Sequence, residues 1–292
     1  MYEPNRHNRP TSRAPALITS AIVLAVVLVA GYFGWQHFNP RPAPVPAVEP
    51  LAQLPEASAV PLTPVAPSIQ HPLDPPAPEA AGGPAPLPAL ADADQWVGEQ
   101  LNDLLTRKNV LAFLQLDGFV RRAVATVDNL ARQQAPARVW PVQPTPKRFT
   151  VQRGSDGVDT IHPDNSQRYT PLVLMIEAVD TARAVALYRR LYPLFQQAYE
   201  ELGFPGRYFN DRLVEVLDHL IATPVPTTPL AVKLVEVKGE VPSTRPWVRY
   251  EFADPALESL SAGRKVLLRV GPEHQQRLQA KLRDFRQRIA KP

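Results

Sequence analysis

ALYRRLYPLFQQAYEELGFPGRYFNDR, residues 186–212, is the stretch on which the reading of the fold turns. With the preceding residues it places Val185, Tyr188, Tyr192, Phe195, Tyr199 and Leu202 at intervals of three and four, the spacing of one helix face. The phase is kept across Pro193. Proline inside a helix removes a donor and crowds the preceding turn. One helix kinked at Pro193 is therefore expected, opened by Asp180 or Thr181 as N-cap and closed by Gly203 in the left-handed conformation. Such an aromatic stripe buries large apolar area, so it reads as the central core helix rather than a ligand cradle. The turn after it, GFPGRYFNDR, exposes Arg207, Asn210, Asp211 and Arg212.

Working outward, the same periodicity recurs on both sides. QWVGEQLNDLLT predicts a helix from Asp92 or Asp94. VLAFLQL is a short apolar piece, and DGFVRRAVATVDNLARQ is a second amphipathic helix with Arg121 and Arg122 turned to water. Residues 135–166 are broken repeatedly by proline, with a short strand conceivable at Phe149–Val151. Further helices are expected near Thr170, over YFNDRLVEVLDHLIA, from Asp254-Pro255 through Gly263, and after Gly271-Pro272 to the C-terminus. LAVKLVEV and PWVRYEF, separated by turn-forming residues, predict one β-hairpin, with Trp247 and Tyr250 as packing partners of the aromatic stripe. In the last helix Leu278, Leu282, Phe285 and Ile289 form the apolar stripe. From Arg277 on its remaining faces are basic, with Asp284 the one acid set against six cations, and read as solvated surface or a patch for an anionic partner.

Composition separates this body from what precedes it. Sixteen of the 35 prolines lie between Pro40 and Pro88. Proline at that density blocks helix and sheet, so 39–90 reads as an extended or disordered spacer. Before it, ALITSAIVLAVVLVAGYFGW (Ala16–Trp35) carries no charge over a length that spans a bilayer, with Tyr32 and Trp35 at one end. A cleaved signal peptide would have a shorter apolar run and a small-x-small cleavage site. The expected organisation is a cytoplasmic tail at 1–15, a transmembrane helix at 16–38, the spacer at 39–90 and a helical body at 91–292. Arg6, Arg9 and Arg13 before the segment, against Arg41 alone after it, put the N-terminus in the cytoplasm and the body on the other side of the membrane. Ala21, Ala25, Ala30 and Gly34 offer a weak helix-dimerisation face.

Motifs of chemistry are sparse. The chain has no cysteine, which excludes disulfides, cysteine-ligated metals and thiol nucleophiles. No GxSxG, SxxK, P-loop or dinucleotide fingerprint occurs. His162, near Asp159 and Asp164, reads as a solvated turn rather than a metal site. Asp211, Glu215 and Asp218 share a helix face, and Glu200-Glu201 lie close by. They are the carboxylates a glycan hydrolase would need, and also what any solvated helix face carries.

FVRRAVATVDNLAR, KRFTV, NSQRYTPLV, LYPLFQQAYEELGFPGRYFNDRLVEVLDHLIATP and YEFADPALESLSAGRKVLLRVGPEH occur in this order. Together, over Ala91 to Arg288, they resemble a bacterial, mostly proteobacterial, family of membrane-anchored proteins with a proline-rich stretch before a domain of unknown function. That resemblance implies an anchor, a spacer and a domain, and it carries no activity, cofactor or catalytic residue.

The expectation is a mainly α protein: a multi-helix domain with a small β-hairpin, behind one transmembrane helix and a proline-rich linker. Its work is non-enzymatic binding or scaffolding in the cell envelope, with an envelope protein or peptidoglycan as partner and with no cofactor, metal or nucleic acid. The alternative is a carboxylate-dependent peptidoglycan hydrolase. The expected recognition surface is Arg168 and Tyr169 in the NSQRY turn with Arg207, Asn210, Asp211 and Arg212, polar and aromatic side chains on loops of a rigid scaffold.

Overall fold

The computed structural model describes residues 68–73, 86–236 and 245–290. Among them are nine α-helices: α1 (Asp94–Leu105), α2 (Arg107–Phe113), α3 (Phe119–Leu130), α4 (Thr170–Ala178), α5 (Thr181–Glu201), α6 (Phe209–Ile221), α7 (Pro255–Glu258), α8 (Ala262–Arg269) and α9 (Pro272–Ile289). Two antiparallel hairpins accompany them: β1 (Val151–Arg153) with β2 (Asp159–Ile161), and β3 (Val232–Leu234) with β4 (Tyr250–Phe252). The chain is thus mainly α. The expected spanning helix at 16–38 lies outside the described residues, as do 1–15 and most of the proline-rich stretch. No helix among the described residues is long and apolar enough to cross a membrane.

The 21 residues of α5 run through Pro193 without interruption. Asp180 caps it, its Oδ1 accepting from Arg183 N at 2.9 Å. Gly203, at φ +110°, ends it. The buried face is wider than the stripe read from sequence. Leu191, Leu194 and Ala198 join Val185, Tyr188, Phe195 and Tyr199, while Tyr192 is half-buried and Leu202 is exposed. Phe195 stacks on Phe209 at 5.9 Å between centroids, and Tyr188 meets Phe285 edge-on at 5.9 Å. Helices α1, α3, α6 and α9 pack around α5 and supply Val97, Val124, Phe209, Leu217 and Ile289 to one core.

Leu73, Leu87 and Leu90 also pack on this core, so the proline-rich stretch contributes side chains to it. Helix α1 starts at Asp94 without a side-chain cap; the Asp94 carboxylate instead accepts from Gly118 N at 2.7 Å and fixes the entry to α3.

The last helix differs most from its reading. Its buried side chains are His274, Gln275, Gln279 and Ile289. Gln279 Nε2 donates to Leu220 O, Ile221 O and Thr223 O, and Gln275 Nε2 to Thr223 O and Pro224 O. A helix leaves its last carbonyls without partners. Here Gln279 of α9 serves the last carbonyls of α6, and Gln275 those of Thr223 and Pro224 just beyond it. Four of its basic residues are likewise engaged rather than free. Arg277 is bonded to Glu177, Lys281 donates to the Glu177 and Val179 carbonyls, Arg286 clamps Asp218 at 2.7 and 2.9 Å, and Arg288 pairs with Asp284 at 2.8 Å.

Helix α7 does not continue through Gly263. Ser261 interrupts, caps α8 by accepting from Arg264 N at 3.3 Å, and shares a hydrogen bond with His219 at 2.7 Å. Gly263 then lies where a Cβ would stand 2.5 Å from Leu220 Cδ2 and 2.9 Å from Leu130 O, so only glycine lets α8 approach α3 and α6 this closely.

Two hairpins replace the single one expected. β3–β4 pairs Val232 with Phe252 and Leu234 with Tyr250. β1–β2 arises inside the proline-broken region and pairs Val151 with Ile161. Ile161 N donates to Leu230 O at 3.0 Å, which joins the hairpins edge to edge. Trp247 and Tyr250 do not reach the aromatic stripe: Arg148 covers the Trp247 ring at 4.0 Å, and Tyr250 meets Phe149 at 5.6 Å.

Candidate functional site

The turn between α5 and α6 is built from α5 outward. Gly203 and Gly206, both at positive φ, allow the chain to reverse where a Cβ would be strained. Gln196, one turn before the end of α5, holds the result. Its Oε1 accepts from Phe209 N at 2.9 Å and from the Tyr192 hydroxyl at 2.9 Å; its Nε2 donates to Arg207 O and Glu200 Oε1, both at 2.8 Å. One of the unpaired donors that open α6 is thereby satisfied by a neighbouring helix. Tyr208, Asn210 and Asp211 emerge side by side from this junction.

Those three side chains hold residues 68–73 of the same chain, a non-helical strap with a bend at Gln70–His71. Asp211 accepts from two successive amides, Gln70 N at 3.0 Å and His71 N at 2.7 Å. Consecutive N–H groups turned to one side make a concavity for an anion, and the bend provides it for this carboxylate. Asn210 donates to His71 O at 2.8 Å, and the Tyr208 hydroxyl accepts from Leu73 N at 3.0 Å. All four bonds go to main-chain atoms of the strap. Asn210 is fully buried, and it also accepts from the Tyr188 hydroxyl at 3.0 Å and donates to Ile289 O at 3.1 Å.

Beside the strap opens a cleft of about 570 Å³, walled by α3, α5 and α6 and rimmed by Ser68 and Gln70. At its base Asp128, 4 % exposed, receives Arg212 Nε at 3.1 Å and Arg132 at 2.6 Å. Arg212 also bonds Glu215 at 2.9 Å. A buried carboxylate needs such partners. The Tyr199 and Phe204 rings stack at 4.6 Å along the wall, and burial, then the Asp128 charge, push the Tyr199 phenol up. Arg207 is exposed at the mouth, 6.0 Å from the Phe204 ring, and pairs with no carboxylate among the described residues.

Of the six residues expected to form a recognition surface, Arg207, Asp211 and Arg212 line this cleft and Asn210 lies beneath the strap beside it. Arg168 and Tyr169 do not join them. Arg168 donates to Pro146 O at 3.0 Å and Lys147 O at 3.3 Å and pins the loop in which Lys147 has φ +64°; Tyr169 is the N-cap residue of α4. The turn before them borders a second, largely apolar cavity of about 380 Å³, lined by Ile161, Leu230, Leu268 and His274 among others. Tyr208 and Asp128 had no signal of their own in the sequence, since a tyrosine in a turn and an acid between apolar positions both read as surface.

The carboxylates weighed for hydrolysis are each engaged. Asp211 holds the strap, Glu215 pairs with Arg212, and Asp218 with Arg286. Glu201 pairs with Arg121 at 3.1 Å. His162 Nδ1 accepts from Asp164 N at 3.1 Å, and Asp159 pairs with Arg153 at 3.1 Å.

Residues 119–286 match a family described as "Protein of unknown function (DUF3014)". The chain belongs to the DUF3014 family. No curated protein and no solved structure matches it. The DUF3014 match runs from the start of α3 into α9, so the groove residues Tyr208, Asn210 and Asp211 fall inside it, whereas the strap lies outside.

Proposed function

We propose that this DUF3014 protein is a tethered, non-enzymatic binding module of a bacterial cell envelope. In this reading residues 16–38 anchor it in the inner membrane with the N-terminus cytoplasmic, the proline-rich stretch spaces the body from the bilayer, and the periplasmic body binds a polypeptide segment of an envelope protein. The observation that carries the reading is the groove at the start of α6. Asp211, Asn210 and Tyr208 bind four main-chain groups of a non-helical segment. Main-chain bonding supplies affinity that is independent of side-chain identity, and neighbouring pockets supply selectivity. A short segment held by four hydrogen bonds at the edge of the fold belongs to its low-stability end, which suits an occupant that leaves.

The test is photocrosslinking in cells with the full-length chain, the reactive residue replacing Glu215 at the cleft wall. A polypeptide adduct that disappears in an Asp211→Ala background supports a groove open to partners. Adducts confined to the chain's own residues 68–73 in every background would make the groove an internal clasp, and the binding reading would fall.

A further inference from the structure

We infer that the second cavity, at the start of α9, binds a small uncharged molecule with an apolar body and a carbonyl oxygen at one end, the chemistry of an amide or an ester. This site is separate from the groove and does not depend on it. The cavity measures about 380 Å³, within the roughly 300–1,000 Å³ of small-molecule sites. Much of its wall is apolar: Ile161 from β2, Leu268 from α8, and Pro226, Pro229 and Leu230 from the segment before β3. Such a wall favours an apolar body but does not orient it.

Orientation comes from the end where Gly271–His274 open α9. The first intrahelical bond runs from Gln275 N to Gly271 O at 2.9 Å. Pro272 has no N–H and no side chain caps the helix, so the N–H groups of Glu273 and His274 have no acceptor among the described residues. The same turn adds an independent observation. His274, 6 % exposed, forms part of the cavity wall. Its Nε2 lies 3.0 Å from Thr170 Oγ1. Ser166 O is farther from that hydroxyl, at 3.5 Å, so the Thr170 proton goes to Nε2 and the ring carries its N–H at Nδ1. Nδ1 is buried and has no partner among the described residues. A buried donor in that state calls for an acceptor. Three donors of one helical turn thus border an apolar cavity.

Charge decides which acceptor suits them. Besides the imidazoles, the charged groups of the lining are Arg269 and Glu273, of opposite sign. Arg269 donates to Tyr250 O at 3.0 Å and stands 4.9 Å over the Phe252 ring. Glu273 is 82 % exposed, 3.8 Å from Arg277. A carboxylate ligand would meet the Glu273 charge beside the donors it needs, whereas a carbonyl takes the same donors without that repulsion.

The experiment titrates the full-length, uniformly ¹⁵N-labelled chain in detergent micelles with three water-soluble probes: pentanamide, pentanoate and pentylammonium. The signals followed are the amides of Glu273 and His274 and the His274 Nδ1. Pentanamide should shift all three saturably. It should bind about ten-fold more tightly than pentylammonium, which offers no acceptor. His274→Phe should weaken pentanamide about ten-fold, read at the Glu273 amide. Leu230→Trp, which fills the cavity from its apolar wall and leaves the donors in place, should abolish binding. Pentanoate binding as tightly as pentanamide overturns the uncharged class. Equal binding of pentanamide and pentylammonium removes the role of the donors. A response that does not saturate, or that survives Leu230→Trp, overturns the site and leaves Nδ1 to water alone. Should His274→Phe fail to fold, the probe comparison and Leu230→Trp decide the matter.

Discussion

Replacing Asp211 by alanine should release the strap while leaving the body folded. The two amide bonds to the Asp211 carboxylate are charge-assisted and contribute about 1.5–3 kcal/mol each, against about 0.5–1.5 kcal/mol for each of the bonds at Tyr208 and Asn210. The four together amount to about 4–9 kcal/mol, and partial burial of Leu73 adds about 1 kcal/mol. Opposing them, ordering the backbone of residues 68–73 costs about 6–12 kcal/mol. The two sides balance to within about 2 kcal/mol, so the strap exchanges between docked and free states. Without the carboxylate about 2–4 kcal/mol of favourable terms remain, and docking is lost. Hydrogen exchange over residues 68–73 reads this directly. The wild-type amides of Gln70, His71 and Leu73 should show protection of about ten-fold, and Asp211→Ala should show none, with α5 and α6 unchanged in both. Wild-type protection above about a thousand-fold, or strap protection that survives the substitution, would refute the balance and make the strap a fixed part of the fold.

Asn210→Ala should behave differently from its neighbour. It strands the Tyr188 hydroxyl and Ile289 O in the interior, and a loss of about 2–5 kcal/mol in denaturant unfolding is expected; a loss comparable to that of Asp211→Ala would contradict its role in the core. Gly263→Ala should cost about 1–3 kcal/mol by forcing α8 off Leu220 and Leu130, and an unchanged unfolding midpoint would show that the contact yields freely. Stability should also fall on acidification in two stages. Burial, then Arg264, holds His219 below its ordinary 6.5, so its contribution is complete above 6.5 and drains as pH falls through the folded value. Burial would raise Glu258, but the Lys265 ammonium and the Phe252 amide outweigh it, so its contribution is complete above 4.5 and drains below. Denaturation at stepped pH checks both: His219→Gln should flatten the upper stage and Glu258→Gln the lower, and identical slopes in wild type and variants would count against them.

How much of this was legible in the sequence depends on the kind of residue. The apolar phase of α5 survived Pro193 in sequence and in structure because burial of one face outweighs a single missing donor. The cap at Asp180 and the stop at Gly203 are local and were readable. The break between α7 and α8 was not, because helix periodicity continues across Ser259–Ser261, and the capping role of Ser261 is reinforced by a partner far along the chain, His219 of α6. Nor was the first hairpin, whose strands are three residues long and are stabilised by an edge contact with Leu230, far along the chain. In the groove, Arg207, Asn210, Asp211 and Arg212 were legible as polar residues in a glycine-flanked turn. What they hold was not: a proline-rich segment gives no sign in its sequence of the place where it touches the body, and main-chain bonds leave no trace in side-chain pattern.

The hydrogen bonds of Asn210 to His71 O and Ile289 O also tie two distant parts of the chain to one side chain. A single buried amide nitrogen serves both the strap and the end of α9. A strap that leaves strands one of its N–H groups in the interior, so any other occupant of the groove must offer a carbonyl at the same place or forfeit that bond.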